Sequence, residues 1–319
     1  MKALLPLLLI VLALWAYSSH RTAGFVYEDR RWVEVPIDSY GPRALTRLTW
    51  QLTTTPFSAH AISLGLHALV SLLLGALAWS LGLSLIASWG VAGLFLLHPL
   101  TLEAVAYAAS RTELIAAVGI LGACLAATRQ MWILAGLLLL VGLGGKEAAL
   151  AGLALIPLTL WAAGRRWQLP AMSAAAFAGA VLVTYGGLVG LAVLGGVTGW
   201  TSNLPHWALV QSTAAYRLIG QSLWPNALTV DFDYDRFTLT AQLIAAGALL
   251  SLGALAFAVR GKYRLVTFGV AWTLLSLAPR FLIQTPRSYL NEHQFYVPLM
   301  GLLIAGVSLW DGWAQEATA

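Results

Sequence analysis

The sequence predicts an all-α membrane protein: a multispanning bundle of about ten transmembrane helices with short amphipathic interfacial helices on its outer face. Two observations predict it. Hydrophobic residues make up 59% of the chain and charged residues 10%, whereas a soluble domain carries about a quarter charged residues. Apolar runs also recur from one end to the other, so residues 1–319 read as a single transmembrane domain without a separate soluble or repeat domain. The formal charge of +5 comes from basic residues scattered among short loops with no continuous patch or binding motif, so no nucleic-acid partner is expected. The lone cysteine, Cys124, lies in an apolar run, so no disulfide framework or cysteine-based metal site is expected.

Taken in order, Lys2 and the run Ala3–Tyr17 look like a signal peptide, but no small-x-small cleavage site follows, and the run reads as an uncleaved first span. A polar island from Phe25 to Arg47 follows. It holds Glu28, Asp29, Glu34 and Asp38 beside Arg21, Arg30, Arg31, Arg43 and Arg47, in a chain where charge is otherwise scarce. An acid pair held beside arginines at a bilayer surface places a general base next to a bound phosphate, because carboxylates take protons and guanidinium forks grip phosphate oxygens. Further apolar runs lie near His60–Leu81, Leu83–Leu97, Glu113–Ala127, Met131–Gly145, Ala148–Ala163, Pro170–Val197, Thr240–Val259, Leu265–Leu282 and Tyr296–Leu309. A spanning helix needs roughly 20 residues, so the shorter runs must borrow flanking residues or sit where the bilayer is thinned.

Charge sets the expected orientation. With a cytoplasmic N-terminus, the inner loops hold Lys2, Arg129, Arg165, Arg166, Arg260, Lys262 and Arg264 with almost no acid, as the positive-inside rule requires. The same threading puts most acids outside with Arg111, Lys146, Arg217, Arg280 and Arg287. Polar chemistry therefore gathers on one face. Alternating-access transporters keep ionisable groups near the midplane of two related halves, and no internal repeat is found here.

Four more segments can converge on that first outer loop. In Leu97–Leu114, Pro99 ends one span and Thr101 opens a short helix that puts Glu103, Tyr107 and Arg111 on one face as a phosphate-binding edge; equally, Glu103 and Arg111 anchor a surface helix at the interface. In Gly142–Leu150, Lys146 and Glu147 interrupt two apolar runs and mark either an outward hinge, made easy by the glycines, or a functional site. In Trp200–Phe237, the spacing of Trp207, Val210, Ala214, Leu218 and Leu223 suits an interfacial amphipathic helix. The run VDFDYD that follows puts Asp231, Asp233 and Asp235 on one side of a short strand, or makes them a divalent-cation ligand set, although the glycine and later glutamate of a calcium loop are missing. In Pro286–Gly301, Arg287, Glu292 and His293 lie near the interface, and His293 can donate to a phosphate. His60 and His67, seven apart, read as packing residues, with His60 close enough to the outer end to reach a substrate.

The ordered series VYEDRRW, PRALTRLTW, PFSAHAISLGLHAL, LFLLHPLTLEAVAYAASRTELIA, GKEAAL, LWPNALTVDF and NEHQFYVPLMG resembles the membrane part of the transmembrane O-mannosyltransferases with tetratricopeptide repeats, and their bacterial relatives, within the glycosyltransferase superfamily of class C fold. The HP-x-x-x-E-A-V-A-x-x-x-x-R segment is its most specific part. The resemblance implies an inverting transferase that moves a sugar from a polyprenyl-phosphate donor to an acceptor on the non-cytoplasmic face, in a bacterial plasma membrane. It maps the expected base onto Asp29, with Glu28 as helper or alternate, and the binding positions onto Glu103, Arg111, Lys146, Glu147, Glu292 and Tyr296.

Two positions depart from the family pattern: Glu28–Asp29 stands where relatives have two aspartates, and His293 stands where they have an arginine. Both bear on the donor phosphate site. No cofactor beyond the donor lipid is expected, and a divalent cation enters only through the aspartate run. The acceptor, protein or glycan, stays open. The competing expectation is a non-catalytic membrane subunit of the same fold, acting in complex assembly or lipid binding.

Overall fold

The computed structural model of the chain describes residues 4–19, 23–26, 29–34, 43–53, 55–165, 204–226, 228–229, 232–282 and 289–317. Every regular element among them is helical. The run 170–197, expected as a span, lies outside the described residues.

Helix α1 (Leu4–Ala16) is followed by the short α2 (Asp29–Glu34) and α3 (Ala44–Gln51). Helix α4 (Pro56–Ser80) begins at a capping box, in which Ser58 N–H donates to Thr55 Oγ1 at 3.2 Å and Thr55 N–H donates back to Ser58 Oγ at 3.1 Å. Pro56 occupies the first turn, where its missing N–H leaves no bond unmade. Helix α5 (Leu85–Leu97) is capped by Ser84 and stops at His98, which is extended because it precedes Pro99.

A 3-10 turn (Pro99–Thr101) leads to α6 (Leu102–Ala106). Tyr107 then breaks the helix with an extended backbone, and a second turn (Ala108–Ser110) opens α7 (Arg111–Thr128). Helix α8 (Trp132–Gly145), extended Lys146, the turn Glu147–Ala151 and α9 (Gly152–Ala162) follow. The later helices are α10 (Leu204–Leu223), α11 (Leu239–Ala258), α12 (Arg264–Leu282) and α13 (Tyr296–Glu316), the last entered through the turn Glu292–Phe295.

Helix α7 is the axis of the fold. Its sequence is apolar all round, and it is buried all round, packed by α4, α8 and α9. Small residues let backbones approach closely enough for this. A methyl group added to Gly119 would overlap the Cα and N of Gly142, and one added to Gly269 in α12 would overlap the carbonyl of Gly301 in α13.

Four helices among the described residues are long and apolar enough to cross a membrane: Pro56–Ser80, Ala108–Thr128, Leu239–Ala258 and Glu292–Glu316. A fifth is reached if Leu85–Leu97 and Pro99–Ala106, bent by 57°, count as one broken span. The expected count of about ten is not supported among the described residues. Leu7–Ala16, Trp132–Gly145 and Glu147–Ala162 are apolar but fall in the 10–17-residue range, and the run 170–197 is not among the described residues.

Helix α10 behaves as its spacing predicts, burying Trp207, Val210, Ala214 and Leu218, while Leu223 at its end is 82% exposed. It reaches from the C-terminal end of α12, where Trp207 Nε1 donates to Arg280 O at 3.0 Å, to that of α5, where His98 Nε2 lies 3.1 Å from Ser222 O. Of the VDFDYD run, residues 232–235 are described and form no strand. Tyr234–Arg236 forms a 3-10 turn because Tyr234 is buried against Phe232 and Phe237, and Asp233 closes the turn with Arg236 at 2.6 Å.

Candidate functional site

The segments singled out in the sequence meet where α7 and α13 begin and where α5, α8 and α12 end. They form three adjoining clusters.

The first is built on Asp29. As the first residue of α2 it is wholly buried, with Oδ2 accepting the Val26 N–H at 3.1 Å and Oδ1 accepting the Ala109 N–H at 2.7 Å. Burial pushes its carboxyl above the ordinary aspartate range; the two N–H donors and the charges of His60 and Arg111 oppose that shift without cancelling it. His60 reaches this point from the first turns of α4, beside a cleft of about 240 Å³ between α1 and α4 that is also lined by Tyr17, Leu64 and Val105.

The guanidinium of Arg111 is turned toward protein groups. It is fully buried and donates to Thr49 Oγ1 and Thr53 Oγ1, both at 3.2 Å, to Ala59 O at 3.0 Å, and weakly to Ser63 Oγ at 3.5 Å. It also lies 4.6 Å over the ring of Trp50, which stacks with Trp32. Arg111 therefore ties α3 and α4 to the start of α7. Near it, Trp50 Nε1 and Ser110 Oγ are buried without a hydrogen-bond partner among the described residues.

The second cluster surrounds Lys146. Neighbours in sequence do not pair: Lys146 binds Glu113, and Glu147 accepts a two-pronged contact from Arg43, with Nη2 at 2.9 Å and Nε at 3.2 Å. Arg280 Nη2 stands 3.8 Å from Glu113. The backbone is extended at Lys146, whose side chain is buried and not outward, and Gly142 and Gly145 lie inside α8, where they let α8 close on α7.

The third cluster joins Glu103 to His293. Glu103 Oε2 accepts the His293 N–H and Oε1 lies 2.8 Å from Nδ1 of its ring, while Glu292 accepts the Thr229 N–H at 2.6 Å. The shared face expected for Glu103, Tyr107 and Arg111 is not formed. The break at Tyr107 sends Glu103 to α13 and Arg111 to α3 and α4; ten residues of apolar spacing cannot distinguish one helix from two. Tyr296 is buried, its hydroxyl 2.6 Å from His67 Nδ1, and His67 Nε2 in turn lies 3.1 Å from Leu96 O. His67 is thus a packing residue, as read.

Glu28, Arg287 and Asp231, and the side chain of Asp235, lie outside the described residues. Asp233 is 51% exposed at its side chain and paired with Arg236. Sequence reasoning assigned no site role to Glu113, Arg280 or Tyr17, and named Arg43 only among the arginines beside the acid pair. The signal present was charge cost: Glu113 and Arg280 sit in or beside apolar runs, where an unpaired charge is expensive.

No family model, curated protein or solved structure matches this chain.

Its chemistry therefore rests on its own residues: a buried carboxylate of raised proton affinity, a fixed guanidinium beside it, buried ion pairs around Glu113 of α7, and two polar groups without a partner among the described residues.

Proposed function

We propose that the chain is a membrane glycosyltransferase of class C type, in a multispanning bundle with a cytoplasmic N-terminus, that moves a sugar from a polyprenyl-phosphate donor to an acceptor on the non-cytoplasmic face. The observation that carries this reading is Asp29: a wholly buried aspartate whose proton affinity is raised by desolvation, flanked by Arg111 and His60. A base tuned in this way takes a hydroxyl proton more readily than an exposed aspartate does. The order of motif segments in the sequence supports the same reading, as do Trp50 Nε1 and Ser110 Oγ, donors of the kind a sugar's hydroxyls require.

In this reaction Asp29 accepts the proton of the acceptor hydroxyl. The hydroxyl oxygen forms a bond to the anomeric carbon, the bond from that carbon to the phosphate oxygen breaks, and the phosphate leaves with the electron pair. Arg111 fixes the walls around Asp29, and cations stabilise the leaving charge. Glu103 holds His293 at the rim of the site.

A second reading is favoured by a specific observation: Arg111, Lys146 and His293 are all bonded to protein groups. That suits a non-catalytic subunit in which these contacts only hold helices together. Transfer of labelled sugar from polyprenyl-phosphate donors by the purified protein distinguishes the two. Asp29→Asn is expected to lower the rate by about 100-fold or more. An unchanged rate would reject Asp29 as the base, and no transfer from any donor, with lipid binding intact, would establish the subunit reading.

A further inference from the structure

Helices α1 and α4 flank a cleft of about 240 Å³. Its α4 wall runs from Phe57 and His60, in the first turns, through Leu64 and Gly65 to Ala68, at the three- and four-residue spacings that keep one helix face in line. No lysine, arginine, aspartate or glutamate lines it among the described residues. The cleft opens sideways, because Leu14 and Phe57 line it and are nevertheless 47% and 56% exposed. Helix α4 is long and apolar enough to cross a membrane, so in a bilayer the phase at that opening is hydrocarbon. A dry apolar cavity of about 150 Å³ takes up benzene. The larger cleft therefore has room for a stretch of hydrocarbon chain.

The end nearest the start of α4 is polar. Tyr17 turns its hydroxyl to Leu96 O and Thr101 Oγ1, so the polar group there is His60, which is buried and whose charge acts on Asp29. Two further groups around Asp29 have no hydrogen-bond partner among the described residues: Ser110 Oγ, next to the Ala109 N–H that Asp29 accepts, and Trp50 Nε1, on the ring that lies under Arg111. Both side chains are buried, and a buried donor left without an acceptor is costly. A phosphate is a poor complement to this end. The end supplies a carboxylate, and the guanidinium of Arg111 is turned to Thr49, Thr53 and Ala59. Hydroxyl groups both donate and accept, so a head with several of them can satisfy a carboxylate, an imidazole, an indole N–H and a serine together.

We infer that the cleft binds a neutral glycolipid, with one chain lying against Gly65 and the sugar head at His60. Only the role of that lipid rests on the transferase reading, which makes it the acceptor: a hydroxyl of its head gives its proton to Asp29, the oxygen bonds to the anomeric carbon, and the phosphate leaves with the electron pair of the broken bond.

The test uses the full-length protein in phosphatidylcholine nanodiscs with a dodecyl glucoside that carries a diazirine in its chain. Irradiation should label peptides of α1 and α4, and unlabelled dodecyl glucoside should suppress that labelling about tenfold better than dodecyl phosphate does. A Cβ added at Gly65 meets nothing within 4 Å, so Gly65→Leu enters the cleft without overlap and also removes a glycine from a helix interior. It should leave the unfolding temperature unchanged or raised and cut labelling about tenfold, the effect of displacing roughly two buried CH₂ groups. Ala61→Leu, on the same wall, should act likewise, whereas His60→Leu should keep the labelling and lose the preference for glucoside over phosphate. Labelling absent from α1 and α4, or undiminished in both leucine-filled variants, overturns the cleft; dodecyl phosphate competing as well as the glucoside overturns the neutral head. Labelling of the cleft with no sugar transferred to dodecyl glucoside from any polyprenyl-phosphate donor upholds the glycolipid site and removes the acceptor role.

Discussion

Glu113 is the keystone of the buried charge set, and its removal has a calculable consequence. Its side chain is 3% exposed and it faces two cations, Lys146 in direct contact and Arg280 at 3.8 Å. Glu113→Gln leaves both without their anion inside the bundle, and breaking a buried pair from one side costs about 3–5 kcal/mol. Lys146→Met costs less, because Glu113 keeps Arg280. The double variant Glu113→Gln/Lys146→Met removes one charge of each sign and leaves the net charge of the cluster unchanged. It is therefore expected to be more stable than Glu113→Gln alone, with a coupling of about 1–3 kcal/mol between the two positions. Reversible unfolding of the four proteins in the same micelles measures the cycle. The reasoning fails if the double variant loses the sum of the single losses, or if Glu113→Gln stays within about 1 kcal/mol of the unaltered protein.

Four further expectations follow from single contacts. Gly119→Ala should cost about 1–3 kcal/mol through overlap with the Gly142 backbone, whereas Gly247→Ala, with open space around it, should be neutral or stabilising by up to about 1 kcal/mol in the same unfolding assay. Arg43 holds its grip on Glu147 from a left-handed backbone with φ 83°, so Arg43→Ala should be less stable than Arg43→Gly by about 1 kcal/mol although both lose the ion pair. Because the folded pKa of Asp29 is raised, its stabilising contribution is complete below the ordinary aspartate pKa and is lost as pH climbs through the folded value; the Tm of the unaltered protein minus that of Asp29→Asn should fall as pH rises from about 4, and a rise would contradict the burial argument. Cys124 is wholly buried in α7 and should resist maleimide labelling until the protein is denatured.

Hydropathy reads the fold class because lipid leaves the backbone almost no alternative to helix, and the apolar runs that lie among the described residues fall on helices. Local stop signals were equally legible: Pro99 ends α5 and the Thr101–Glu103 region opens α6. What spacing could not reveal was partnership. Lys146 and Glu147 are adjacent in the chain, yet an extended backbone at Lys146 turns them toward different helices, and their partners Glu113 and Arg43 lie 33 and 104 residues away. The break at Tyr107 has the same effect on Glu103 and Arg111, separating a row that an unbroken helix would have kept together. In both places the chain interrupts a helix so that one short polar segment serves two neighbours, and this occurs at the end of the bundle where the start of α7 must be fixed. Arg111 and Glu113, two residues apart and so on nearly opposite faces of α7, fix it toward α3 and α4 on one side and toward α12 on the other. A residue's charge was thus visible from the sequence, but the direction in which it is spent depends on which helix face it occupies and on what the long-range fold brings to that face. That is why the bonds of Arg111 to α3 and α4, and the approach of Arg280 to Glu113, could not be read from spacing alone.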